Sequence, residues 1–312
     1  MPTCLVTGGA GFVGSHIVEA LVRRGDKVRV LDNFDTGKRE NLQAVLGQVE
    51  LITGSVADAA AVAKAVAGCE FVFHQAALAS VPRSIDDPLA THAACATGTL
   101  NVLNEARKAK VRRVVYAASS SAYGNQPQPQ KRETDLPSPL SPYAAAKLAA
   151  ELYCEAFWHS YGLEAVALRY FNVFGPRQDP SGPYAAVIPI FIQKILAGQQ
   201  PTIFGDGLQT RDFTYVENVV QANLKAAEAT SAAGQVFNVG NGVSLTLLDL
   251  LKELNAIFGK NIQPIFQPAR AGDVRDSLAD ISRARAVLGY EPNVQLAEGL
   301  RLTVEYYRGS AK

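Results

Sequence analysis

Residues 3–16 read TCLVTGGAGFVGSH. The apolar run from Cys4 to Val6 predicts a buried strand. Gly8, Gly9, Gly11 and Gly14 predict a tight turn that opens a helix through Ile17, Val18, Ala20, Leu21 and Val22. Glycine tolerates positive φ, and without a Cβ it lets backbone N–H groups close on a phosphate. The spacing Gly8-x-x-Gly11-x-x-Gly14 is one residue wider than the commonest dinucleotide fingerprint. Phe12 and Val13 sit inside that turn.

The next strand, KVRVL at 27–31, ends at Asp32, 18 residues past Gly14. An acid close to 20 residues on is placed to accept from a ribose diol. It repels a 2′-phosphate and so favours NAD over NADP. Asn33 follows it, and Lys38 and Arg39 come soon after, so a 2′-phosphate is disfavoured rather than barred.

Strand–helix alternation continues outward from this unit. Strands are expected at 49–53, 71–74, 111–117, 164–170 and 236–239. Helices are expected at 59–67, 88–109, 143–161, 186–197, 217–229, 246–258, 282–288 and 296–308. Such alternation without hairpin turns implies an α/β fold with a doubly wound, parallel Rossmann sheet. The small residues Ala76 and Ala77 after the 71–74 strand leave room for a ligand above the sheet. Pro-rich 125–142 and charged 268–281 are expected to be loops. The change of rhythm after 178 suggests a nucleotide-binding domain (1–178 and 213–242) and a smaller, discontinuous α/β substrate domain (179–212 and 243–312).

Composition excludes several function classes. At 312 residues the chain can bury a large core. A net charge of +1 argues against coating nucleic acid or acidic membranes. The four cysteines are far apart, with neither a disulfide framework nor a zinc spacing, so no metal is expected. No apolar run is long enough to span a bilayer and no signal peptide is visible, so a reducing cytoplasm is the expected compartment.

Tyr143 and Lys147 lie four apart at the start of a helix signalled by Ser141-Pro142. A phenol is a poor base at neutral pH, and an ammonium fixed beside it is expected to lower its pKa. A serine in the loop 119–124, SSSAYG, can share a substrate proton. His74, at a strand end, reads as a packing residue rather than a base.

These stretches carry a resemblance. With LDNFDTGKRENL at 31–42, HQAALASVPRS at 74–84, GTLNVL at 98–103, LRYFNVFGPRQ at 168–178, RDFTYVENV at 211–219 and RAGDVRDSLAD at 270–280, the chain resembles the extended short-chain dehydrogenases/reductases, specifically the UDP-hexose 4-epimerases. The resemblance implies bound NAD, touched by Gly8, Gly11, Phe12, Val13, Gly14, Asp32, Asn33, Val56, Ala76, Ala77, Tyr143, Lys147 and Tyr170. It implies catalysis by Ser119, Tyr143 and Lys147. It also implies a UDP-sugar held by Ala79, Ser80, Ser121, Asn172, Ala186, Phe204, Arg211, Arg270 and Ser277, and a homodimer formed through helices 88–109 and 143–161. Related dehydratases and decarboxylases carry an acid where this chain has Ser121, which favours epimerisation. Ser277 matches a gate beside the sugar's 2-substituent, where serine leaves room for an N-acetyl group. Cys95 and Ser55 depart from the family pattern of Asn and an acid. A uronate 4-epimerase, using Arg83 or Arg177 on a C6 carboxylate, and a non-catalytic NAD-binding regulator are the rival readings.

Overall fold

The structure is a computed structural model that describes residues 1–180, 186–269 and 274–310. β1 (Thr3–Thr7) leads through the glycine turn into α1 (Phe12–Arg24), followed by β2 (Lys27–Asp32), β3 (Val49–Thr53), α2 (Ala59–Val66) and β4 (Phe71–His74). Then come α3 (Val81–Asp86), α4 (Pro88–His92), a π turn (Ala93–Thr97), α5 (Gly98–Lys108), β5 (Arg113–Ser119), a 3-10 turn (Ser120–Tyr123), β6 (Gln130–Lys131), α6 (Pro142–Tyr161) and β7 (Glu164–Tyr170). The remainder comprises β8 (Val173–Phe174), α7 (Val187–Leu196), β9 (Thr202–Phe204), β10 (Thr210–Arg211), β11 (Thr214–Tyr215) and α8 (Val216–Glu228). It closes with β12 (Val236–Val239), β13 (Leu245–Thr246), α9 (Leu247–Phe258), β14 (Ile265–Gln267), β15 (Asp276–Ala279), α10 (Ser282–Leu288) and α11 (Leu296–Ser310).

Among the described residues, seven strands form one sheet in the order β12-β7-β5-β4-β1-β2-β3, and every pairing in it is parallel. The chain winds outward from β1 to β3, then crosses back to β4 on the other side of β1. Strand order therefore reverses between β1 and β4, and a crevice opens beyond their carboxyl ends, at Thr7 and His74. Alternation along β1 supplies both faces. Cys4 and Val6 join Ile17, Val18 and Val219, whereas Leu5 joins Val62, Val102 and Ala150. Each fully buried aliphatic side chain contributes about 1.5–3 kcal/mol to this packing. A third core gathers Phe174, Ile188, Phe191, Leu250, Leu254 and Leu300. Beside it, β13, β10, β15 and β6 form a small sheet.

The structure corrects three expectations from the sequence. The 88–109 helix is three pieces, because the π turn at 93–97 interrupts it, and α3 precedes it where no helix was expected. Ser80 and Asp87 cap α3 and α4 from their side chains, which lets helices this short form within a chain rich in turn residues. The expected loops 125–142 and 268–281 contain β6 and β15, which pair with each other. Strands of two and four residues leave too little periodicity to read without their partners.

α6 is anchored from beneath. Arg169 on β7 donates to both carboxylate oxygens of Glu151, at 2.8 and 2.6 Å, and each side chain is only 4% exposed. The guanidinium also lies over the Tyr123 ring, 4.5 Å from its centroid. Removing one partner would leave a buried charge uncompensated. Glu151→Ala should lower the unfolding free energy by about 3–5 kcal/mol in urea titrations, whereas the double variant Glu151→Met/Arg169→Leu should recover most of it. An unchanged midpoint in Glu151→Ala would deny the pair this anchoring role.

Candidate active site

A cavity of about 360 Å³ lies beyond the carboxyl ends of β1, β2 and β4. Its wall includes Gly8, Gly11, Phe12, Val13 and Gly14 from the turn, then Asp32 and Asn33, Val56, Ala76 and Ala77. Tyr143, Lys147 and Tyr170 complete one side, and Ala79 and Ser80 lie on the rim beyond Ala77. The cradle cannot accept larger residues. Gly8 has φ +65°, and a Cβ on it would stand 2.7 Å from the Ala76 nitrogen. A Cβ on Gly14 would stand 2.1 Å from the Gly8 carbonyl oxygen. Gly11 precedes α1 as its N-cap with no side-chain hydrogen bond, and the first turn holds no acid, so the helix's positive end is left for an anion. These features fit the diphosphate of a dinucleotide.

Asp32 is buried and has a structural duty as well. Its Oδ2 accepts from Ala10 N–H at 2.9 Å and its Oδ1 from Phe34 N–H at 2.8 Å. Each oxygen keeps a second lone pair, so the brace leaves capacity for a ribose diol. Tyr170 donates to Gln75 Oε1 at 3.1 Å and accepts from Asn223 Nδ2 at 2.7 Å. Two ion pairs in the cavity wall were not anticipated: Arg83–Asp35 at 3.0 Å and Lys38–Asp179 at 2.9 Å. Lys38, read from sequence as a cation near the ribose, is thus engaged elsewhere. These partners are far apart in the chain, so sequence held no signal for them.

Ser141 Oγ accepts from Ala144 N–H at 3.2 Å and Pro142 takes the first position of α6, which sets Tyr143 and Lys147 on successive turns. Ser119 ends β5 beside the Tyr143 phenol, and its Oγ lies 2.8 Å from Ser121 Oγ. The Lys147 ammonium sits over the Tyr116 ring, 4.4 Å from its centroid, and Tyr116 donates to the Lys147 carbonyl at 3.2 Å. The expected lowering of the Tyr143 pKa by Lys147 is not what the chain alone produces. Burial pushes the Tyr143 phenol up, and the hydrogen bond from Ser119 pulls it down. Burial likewise pulls the Lys147 ammonium down. Desolvation disfavours the charged form of each group, the phenolate and the ammonium alike.

Asn172, Arg211 and Ser277 form a second group, knit together by Asp212. Asn172, at φ +31°, donates from Nδ2 to the Asp212 carbonyl at 3.0 Å, and Asp212 N–H donates to the Ser277 carbonyl at 2.7 Å. Arg211 pairs with Ser277 across β10 and β15, and its Nη1 donates to the carbonyls of Thr210 and Arg275. Phe204 ends β9 beside Gln267, and Ala186 caps α7. Neither shares these hydrogen bonds, and Arg270 lies outside the described residues. Sequence reading passed over Asp212, although it directly follows Arg211 in RDFTYVENV. Its carboxyl accepts three backbone N–H groups, from Asn241 (2.7 Å), Gly242 (3.0 Å) and Ala279 (3.1 Å).

Burial pushes Asp212 up to about 6, with the three N–H donors pulling the other way. A carboxyl whose folded pKa exceeds its unfolded value holds its proton longer in the native state, so its contribution to stability falls as pH rises from about 4 to 6. Over that window the unfolding free energy of the wild type should drop by roughly 3 kcal/mol relative to Asp212→Asn, which does not titrate. Denaturant titrations at pH 4 and pH 7 would reveal it. A gap between the two proteins that does not change with pH would contradict the assignment.

The family model for the NAD dependent epimerase/dehydratase family matches residues 4–240. A Mycolicibacterium smegmatis protein named UDP-glucose 4-epimerase is 41% identical over 313 residues, covering 99% of each chain. Among solved structures, a UDP-N-acetylglucosamine 4-epimerase from Methanobrevibacter ruminantium M1, in complex with UDP-N-acetylmuramic acid, superposes with TM-score 0.95 at 40% identity, covering 99% of each chain. A Thermotoga maritima UDP-glucose 4-epimerase with UDP-glucose gives TM-score 0.94 at 42% identity, covering 99% of this chain and 100% of that one. Together with the glycine cradle, the bracing acid and the Ser119–Tyr143–Lys147 arrangement, they place this protein in the NAD-dependent epimerase/dehydratase family, as an enzyme of the extended short-chain dehydrogenase/reductase type with NAD as its cofactor.

Proposed function

We propose that this protein interconverts the C4 epimers of a UDP-hexose through a transient 4-keto sugar, with NAD retained throughout. The observation that carries this reading is the placement of Tyr143 and Lys147 on successive turns of α6, both in the wall of the cavity that the glycine turn also lines. Ser119 orients the sugar's 4-hydroxyl, and Tyr143, ionised, removes its proton as C4 loses hydride. Bound NAD supplies the hydride acceptor and, when oxidised, a cationic ring that favours the phenolate. The keto sugar turns about its diphosphate and presents its other face. Tyr143 then returns the proton to O4 as the hydride returns to C4. Lys147 holds positive charge behind the phenol. Asn172, Arg211 and Arg270 hold the diphosphate, and Phe204 and Ala186 line the nucleotide side. Arginine suits phosphate oxygens because its fork donates in pairs.

Ser121 beside Ser119 supports epimerisation over elimination, which would need an acid or base at that place. The uronate reading loses support. Arg83 is paired with Asp35, and Arg177 donates to Glu19 at 2.5 Å and to Ser15 at 3.2 Å, so both cations are already engaged. Leu89 on α4 and Leu152 on α6 are 81% and 54% exposed, which supports a homodimer through these helices. Among the described residues, no helix is long and apolar enough to cross a membrane.

Tyr143→Phe removes the proton acceptor but not the ring. It should retain NAD through gel filtration while turnover of every UDP-hexose falls at least about a thousandfold, within the range that general base catalysis and positioning supply together. Undiminished turnover would refute the assignment. The reading of the sugar's 2-substituent rests on Ser277, half-buried on β15. We infer that its small side chain admits UDP-GlcNAc and UDP-GalNAc alongside UDP-Glc and UDP-Gal. Ser277→Tyr should cut kcat/KM for the acetylated pair by about a hundredfold and leave the plain pair within about threefold, since a filled pocket cannot accommodate the acetyl group. Retained turnover of the acetylated pair would overturn the gate.

A further inference from the structure

His74 is fully buried between the cofactor cavity and the catalytic helix, and the mechanism does not use it. Four hydrogen bonds run through it in a single direction. Ala76 N–H reaches Thr7 Oγ1 at 3.4 Å, and Thr7 Oγ1 lies 2.6 Å from His74 Nδ1. On the other side, His74 Nε2 lies 2.9 Å from Thr99 Oγ1, which donates to the Cys95 carbonyl at 2.5 Å. That last bond decides the rest. The Thr99 proton is committed to a carbonyl, so Thr99 Oγ1 accepts from His74, and the ring carries its proton on Nε2. Nδ1 is then an acceptor for the Thr7 hydroxyl, whose oxygen faces Ala76 N–H. A protonated ring would have no acceptor for Thr7. Burial and the Lys147 charge both disfavour that form, moving the imidazole down to about 3.

The two ends of this chain are informative. Ala76 lines the cavity and lies against Gly8. Cys95 lies in the π turn, and Cys95 and Ala96 pack with Tyr143 and Ala146. A threonine hydroxyl bonded back to the carbonyl four residues earlier perturbs helix geometry, and π turns are concentrated at functional sites. The ring of His74 also lies 5.7 Å from Tyr116, the ring on which the Lys147 ammonium rests. We propose that His74 is a positioning residue of the reaction: as a neutral Nε2–H imidazole it ties the cofactor loop at Ala76 to the π turn behind Tyr143, and through Tyr116 it sets the seat of Lys147. This rests on the catalytic roles given above to Tyr143 and Lys147.

The test pairs Thr99→Val, which has nearly the same shape but no hydroxyl, with Thr99→Ser, which keeps the hydroxyl. Thr99→Val should lower kcat for UDP-hexose epimerisation by roughly tenfold to a hundredfold, the penalty of misplacing a catalytic group. KM and bound NAD should stay within about twofold of the wild type, a split that general loss of structure would not produce, and Thr99→Ser should restore kcat. Nitrogen NMR of the NAD-loaded wild type should show His74 as the Nε2–H tautomer from pH 5 to pH 9. Wild-type kcat in Thr99→Val, or a His74 ring protonated on Nδ1, would overturn the proposal. Should the wild type turn over no UDP-hexose at all, the epimerase reading fails by itself. The tautomer and the NAD content of the variants then still judge the relay.

Discussion

The close approach of Gly8, Gly14 and Ala76 is the constraint on which the site depends. Backbone meets backbone there, at separations where a Cβ would stand 2.1 to 2.7 Å from main-chain atoms. The approach brings the start of α1 against the loop after β4, across the point where strand order reverses. A diphosphate placed in that gap meets N–H groups and the positive end of a helix without intervening side chains. Asp32 keeps the gap in shape by bonding Ala10 and Phe34 from one carboxylate.

From that cradle the chemistry is organised by buried polar links. Arg169 and Glu151 hold α6 on the sheet, and Ser141 and Pro142 set the turn on which Tyr143 starts. Asp212 gathers three backbone N–H groups from two further segments and so assembles the place where Asn172, Arg211 and Ser277 meet. Both carboxylates in these links, Glu151 and Asp212, have each oxygen engaged inside the protein. Buried polar groups specify a unique geometry when every member finds its partner, and they destabilise when one is lost.

The electrostatics at Tyr143 give the cofactor a part in the proposed proton transfer. In the chain alone the phenol, half-buried at the cavity wall, is held in its protonated form by desolvation. Lys147, itself desolvated, rests on an aromatic face rather than ionising its neighbour. A positive nicotinamide would favour the phenolate only while NAD is oxidised, which would couple proton removal to hydride transfer. In the proposed reaction, retaining NAD through both half-reactions would keep that coupling in place.

What the sequence determined by itself was what short-range patterns carry. The glycine turn, the alternation that gives a parallel sheet, Asp32 at the end of β2 and the four-residue spacing of Tyr143 and Lys147 were all legible, because each is set by local backbone sterics or by one helical turn. Only the tertiary structure decided the rest. β15 exists because β6 and β10 lie on either side of it, and the π turn at 93–97 is a detail of helix geometry that no apolar period announces. Asp212 carries no local signal, because the three N–H groups that converge on it come from residues 29 to 67 positions away. His74 was read as a packing residue, since Thr7 and Thr99 approach it from 67 and 25 residues away. Hydrogen bonds between such remote groups leave no periodic trace, so their direction, and the tautomer it imposes, emerged only from the folded chain.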